Sequence, residues 1–319
     1  MLARRGAAIA LWLALFVGLV PLGNRLVPDA VKVRIPLQTF LMTCQILTLV
    51  LGLGATLLLV RPRRPALGLD RFPTAPAAVS TILAVPIVFV TASYIALQIA
   101  LPTLLEELKT RGPQASAQNA GAFGRALTQS PLLVTLLWGA LLGALGEELF
   151  FRGLLWTTIT DVTRRFAPVP ASPDLNAYSE SPAPAPRPLH HRALRLLLEG
   201  GIATLLCAAL FGYMHKDLPG GVGIVRLWST TILGLGLGVV RQSTRSVAAC
   251  ILLHTVYNTF VILAGRKWFG DARSATVLEG IPDTMALLAV LGVAGIGLIA
   301  FVRALLARRA RADRALELA

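Results

Sequence analysis

Long apolar runs separated by short polar and basic segments set the pattern of this chain. Eight such runs stand out, at 6–22, 37–60, 76–101, 131–151, 196–215, 222–240, 246–264 and 284–302. Most reach the roughly 18 residues that a helix needs to cross a hydrocarbon core. An open sheet edge cannot be satisfied in lipid. The pattern therefore predicts an all-α fold, a polytopic membrane helix bundle with about eight transmembrane helices. The fourth run is expected to stay helical to near Thr160, because no Gly-Pro break intervenes. Placed by apolar run alone, His215 falls near the outer end of span five, while Glu147 and His254 lie near the middle of theirs. A later start of span five, with Leu196 to Gly201 as an interfacial turn, would bring the three to one level.

Composition supports this reading and excludes others. Of 319 residues, 55% are hydrophobic and 14% charged, where a soluble domain carries about a quarter charged residues. The net charge of +14 would suggest nucleic acid in a soluble protein. Here the basic residues sit in the gaps between apolar runs, where anionic headgroups and the positive-inside rule account for them. No nucleic acid partner is expected; the expected partner is membrane lipid. The first run follows Arg4 and Arg5 but has no clean small-residue cleavage site, so a retained helix is expected rather than a signal peptide. The distribution of Lys and Arg favours cytoplasmic N- and C-termini in a multi-pass protein of the bacterial plasma membrane. Pro168 to Pro188 is rich in Pro, Ala and Ser and reads as a flexible cytoplasmic loop. His190 and His191 close it; two histidines in a basic loop are more often solvated than metal-bound. Gly234, Gly236 and Gly238 in span six suit a helix-packing face rather than a phosphate loop, because no strand precedes them.

Ionisable side chains inside a bilayer cost at least ~2.5 kcal/mol each on insertion scales, so they mark sites by default. Glu148 and Arg152 are four apart, share a helix face and can pair. Glu147 is turned about 100° from Glu148 and has no such partner, which suits a general base. Two of the chain's four histidines, His215 and His254, also fall in apolar runs, and His254 shares a face with Asn258 at i, i+4. Glu199, with Arg195 four residues earlier, is taken as interfacial and without a role. A carboxylate, two imidazoles and an amide are the parts for activating a water and holding an oxyanion. The same residues can instead hold a zinc ion with a position open for water. Cys44, Cys207 and Cys250 form no C-x-x-C. Cys250 lies four residues before His254, but without an activating arrangement it reads as packing.

The order E-E-x-x-x-R (Glu147, Glu148, Arg152), F-x-x-x-H (Phe211, His215) and H-x-x-x-N (His254, Asn258) resembles the CPBP intramembrane proteases. These are the type II CAAX prenyl endopeptidases with their bacteriocin-processing and immunity relatives. The resemblance divides the chain into N-terminal helices 1–130 without family signature, a catalytic membrane core 131–265 with a Pro-rich loop 161–192, and a C-terminal helix and basic tail 266–319. It implies that Glu147 is the catalytic carboxylate, that His215 works with it on the water, and that His254 and Asn258 line the oxyanion or metal side. Glu148, Arg152 and Phe211 would support them. A metalloprotease would place zinc on Glu147, His215 and His254; a glutamate-dependent protease needs no metal. The implied substrate is a peptide or protein, membrane-associated or lipidated. Two rivals differ in class. A proton-coupled transporter predicts inverted repeats, of which the sequence shows no sign. A non-enzymatic immunity or scaffold protein would tolerate loss of motif residues, whereas all seven are present.

Overall fold

The structure is a computed structural model that describes residues 2–26, 37–60, 75–111, 130–166, 197–216 and 220–266. No strand occurs among the described residues, as expected of an all-α chain. The elements are α1 (Leu2–Leu26), α2 (Leu37–Ala55, continued by a wider turn Thr56–Val60), α3 (Ala75–Arg111) and α4 (132–166). They continue with α5 (Ile202–Met214, entered through the turn Leu197–Gly201), α6 (Gly220–Thr244) and α7 (Val247–Gly265).

The expected count of eight spans is not reached among the described residues. Five stretches are long and apolar enough to cross a membrane: Leu2–Gly23, Thr39–Val60, Val85–Thr110, Leu132–Arg165 and Gly220–Thr244. Ile202–Met214 and Val247–Leu263 are apolar but shorter. The eighth run, 284–302, lies outside the described residues. Large apolar side chains such as Val17, Leu58, Leu133 and Val239 are exposed on the outer surface, where lipid would solvate them and water would not.

α4 carries the expected extension and overshoots it. It runs to Phe166, so residues 161–166 are helical rather than the start of the loop 161–192. The reason is tertiary. The Asp161 carboxylate accepts from Arg5 of α1 at 2.5 Å, and the Thr163 hydroxyl donates to the Leu198 carbonyl at 2.9 Å. Pro168, Pro188, His190, His191 and Arg195 lie outside the described residues. Within α4, the turn Gly143–Glu148 is regular, but the flanking turns Leu136–Leu142 and Leu149–Leu155 are widened to i→i+5 bonding. Such π turns re-aim the side chains beside them and recur at functional sites.

Two features close the bundle around α4. Trp12 of α1 stacks on Phe150 at 5.7 Å and donates to the Thr56 hydroxyl of α2 at 2.9 Å. On the other side, α6 lies against α5 through Gly234 and Gly238 of the predicted glycine face, whereas Gly236 meets Val88 of α3. A methyl on Gly234 would stand 2.9 Å from the Ala208 Cα, so only hydrogen fits there. The N-terminus of α6 is tied to the end of α3, where the Glu107 carboxylate accepts from the Gly221 amide at 3.1 Å. The start of α5 also differs from the apolar run. Regular helix begins at Ile202, after a non-helical Gly200, and ends at Met214 with His215 as its cap. That later start brings His215 against α4 and α7.

Candidate active site

Consecutive residues on a helix point about 100° apart, and Glu147 and Glu148 show the consequence. Glu148 turns into the bundle and is fully buried, whereas the Glu147 side chain is 21% exposed and lines a cavity of about 370 Å³. Phe211, His215, His254 and Asn258 line the same cavity. The structure thus brings together residues from α4, the end of α5 and α7, segments that are far apart in the chain.

Behind the cavity, Glu148 holds two cationic or protonated partners at once. Its Oε1 accepts from Arg152 Nη1 at 3.0 Å and from His254 Nδ1 at 2.9 Å. Arg152, also fully buried, sends Nη2 to the Gly234 carbonyl at 3.0 Å. The i, i+4 pair read from the sequence is therefore present, and it does more than orient α4: it fixes the ring of His254. With Nδ1–H committed to Glu148, the Nε2 edge of His254 is presented to Glu147, 3.7 Å from Oε2.

His215 is set by a different device. Capping the C-terminus of α5, it donates Nδ1–H to the Phe211 carbonyl at 2.7 Å. Its Nε2 then lies 3.9 Å from Glu147 Oε1. Phe211 separates the two halves of the site. Its ring meets His215 at 4.5 Å and His254 edge-on at 5.6 Å, and its other surroundings include the Arg152 guanidinium at 4.9 Å from the ring centroid. Asn258 donates Nδ2 to the Gly139 carbonyl at 3.3 Å, which holds the amide at the cavity wall.

Both imidazole approaches to Glu147 are too long for direct hydrogen bonds. They are right for a shared water: a molecule ~2.8 Å from a carboxylate oxygen can sit ~2.8 Å from an Nε2 that is itself 3.7–3.9 Å from that oxygen. The arrangement can take a proton from water at Glu147 and exchange one at either Nε2.

Zinc fits less well. Among the described residues no group of three or more His, Cys, Asp or Glu side chains is arranged to hold a metal ion, the candidate set Glu147, His215 and His254 included. In each imidazole Nδ1 is bonded, to Glu148 or to the Phe211 carbonyl, and Nε2 faces Glu147. Cys250 is buried, with its Sγ near the Leu237 and Ser246 carbonyls, and does not line the cavity.

Three residues at or behind the cavity escape the motif reading. Arg241 is buried, donates Nε to the Arg152 carbonyl at 3.0 Å and lies over the Trp156 ring at 4.9 Å. Trp138 and Gln45 line the cavity from α4 and α2. A signal existed for Gln45 and Arg241: each is a polar residue in or at the end of an apolar run, the same argument that singled out Glu147.

Fold and site together define a class, a helical bundle with an apolar outer surface and a carboxylate–histidine cavity suited to water activation. The family model described as Type II CAAX prenyl endopeptidase Rce1-like matches residues 129–260. That segment holds all three motifs, so the resemblance drawn from them is shown there, and it implies protease activity of the CAAX type in a membrane protein. No curated protein and no solved structure matches the chain.

Proposed function

We propose that this protein is an intramembrane endopeptidase that hydrolyses a peptide bond with a water activated by Glu147. The observation that carries the reading is the partly exposed Glu147 carboxylate in the cavity, with His254 Nε2 at 3.7 Å and His215 Nε2 at 3.9 Å. Water enters between them. Glu147 accepts its proton as the oxygen attacks the carbonyl carbon, and a tetrahedral oxyanion forms. The second N–H of the Asn258 amide is the available donor to that oxyanion, and a protonated Nε2 of His254 adds to it. The C–N bond then breaks, and the amine leaves with a proton returned from Glu147 or from His215. Glu148 and Arg152 touch neither water nor substrate in this scheme; they hold His254.

The substrate is a membrane-associated or lipidated peptide, in keeping with an apolar protein surface and the family match. The excess of Lys and Arg on alternate connecting segments supports a multi-pass topology with cytoplasmic termini.

Replacing Glu147 by Gln keeps size and hydrogen-bonding shape but removes the base. Glu147→Gln should insert and fold as the parent does, and cleave a membrane peptide at least ~10²-fold more slowly. Chelator treatment of the parent should leave turnover unchanged. Near-parental cleavage by Glu147→Gln would sink the assignment of the base; loss of activity on chelation with recovery on added zinc would sink the metal-free route.

A further inference from the structure

Gln45 has no place in the chemistry described so far. It lies on α2, outside the family-matched segment. It lines the active-site cavity and also a second cavity of about 150 Å³ between α1, α2 and α4. Gly143 and Glu147 line both as well, so the two spaces adjoin at the carboxylate. The second space is apolar, with Leu15 and Phe16 from α1, Leu41 from α2 and Leu142 from α4. Gln45 borders both spaces. Its Nε2 lies 3.4 Å from where a methyl on Gly143 would stand, one helical turn before Glu147. Its Oε1 is buried and has no hydrogen-bond partner among the described residues.

Polar side chains in membrane helices commonly act as glue, bonding across to a neighbouring helix. Gln45 makes no such bond through Oε1, so glue does not account for it. An amide that can both accept and donate is the natural partner of another amide. We propose that Gln45 bonds the backbone of a bound extended peptide beside the scissile bond, while the apolar side chain next to that bond enters the α1–α2–α4 cavity. This deepens the endopeptidase reading and rests on it. Backbone contact makes Gln45 indifferent to substrate sequence; the apolar cavity supplies the selectivity, for an aliphatic or aromatic side chain at that position. The catalytic segment would then depend on α2 for substrate alignment.

The test measures binding rather than turnover. The full chain carrying Glu147→Gln, in lipid nanodiscs, is titrated with a fluorescein-labelled apolar hexapeptide and with copies N-methylated at one amide at a time. Adding Gln45→Leu should weaken binding by about threefold to tenfold, the range for one lost hydrogen bond. One methylated copy should lose the same factor against Gln45 and lose nothing further against Gln45→Leu. Gln45→Met serves the same purpose should the leucine variant misfold. Equal binding by both proteins, no binding by either, or weakening by Gln45→Leu without coupling to any methylated position overturns the proposal. Cleavage by the chain with Glu147 intact reads the endopeptidase assignment separately. Coupling without cleavage defeats that assignment alone, and cleavage without coupling defeats Gln45 alone.

Discussion

Glu148→Gln is the most informative single change, because one fully buried oxygen serves both the fold and the site. In the parent, Glu148 Oε1 accepts from Arg152 at 3.0 Å and from His254 at 2.9 Å, with Glu148 and Arg152 both at 0% exposure. The amide keeps a carbonyl at one end but removes the negative charge. Charge-assisted bonds are about twice as strong as neutral ones, so each remaining contact weakens by roughly 1 kcal/mol. The larger effect is the Arg152 charge left in the bundle without a counter-charge, for which breaking a buried pair costs about 3–5 kcal/mol. The bond from Arg152 to the Gly234 carbonyl survives and offsets part of this. A net destabilisation of about 3 kcal/mol is expected, read as a lowered Tm of the protein in nanodiscs by light-scattering or intrinsic fluorescence. Turnover of a membrane peptide by the fraction that remains folded should also fall, because the His254 ring keeps only a neutral, weaker acceptor to set its tautomer. The double variant Glu148→Gln, Arg152→Met separates the two effects. Removing both charges together should recover most of the stability, as neutral replacements of buried pairs do, but not the activity. Full activity in a stable double variant would refute the claim that Glu148 acts by orienting His254. An unchanged Tm in Glu148→Gln would refute the buried pair as a structural element.

Two further substitutions probe the packing that holds this pair. Gly234→Ala would press a methyl to 2.9 Å from the Ala208 Cα and 3.4 Å from Arg152 Nη2; overpacking of this kind costs about 1–3 kcal/mol, and a Tm equal to the parent's would show that α5 and α6 separate easily. Arg241→Met removes the bond to the Arg152 carbonyl and the contact over Trp156; a loss of about 1–3 kcal/mol in the same melt is expected, with the turnover of the folded fraction close to the parent's, since Arg241 does not line the cavity.

Much of the site was legible because its signals are local. Spacing of four put Glu148 and Arg152 on one face, and the 100° turn between neighbours separated Glu147 from that pair, as the structure has it. The rarity of ionisable groups in apolar runs marked His215 and His254 without any knowledge of contacts. The third bond in the cluster, from His254 to Glu148, could not be read, because it joins positions 106 apart in sequence through the packing of α7 on α4. The ends of elements were the weaker reading. Hydropathy extends a run as far as apolar residues last, whereas α5 starts regular helix at Ile202 and α4 persists to Phe166.

The sequence by itself determined that the chain is helical and apolar, which polar residues stand out in its apolar runs, and which two of them pair along α4. These follow from composition, from helical periodicity and from the cost of polar groups in lipid, all of which act over a few neighbouring residues. Tertiary structure alone decided that Glu147 faces a cavity flanked by two imidazoles, that Glu148 turns a helix pair into a mount for His254, and that Arg241 backs it from α6. It also decided that α2, which carries none of the three motifs, lines the Glu147 cavity through Gln45. The physical reason is that close packing chooses partners by shape across helices: the sequence marks Gly234 as part of a packing face, but only the structure shows that Ala208 is what packs there.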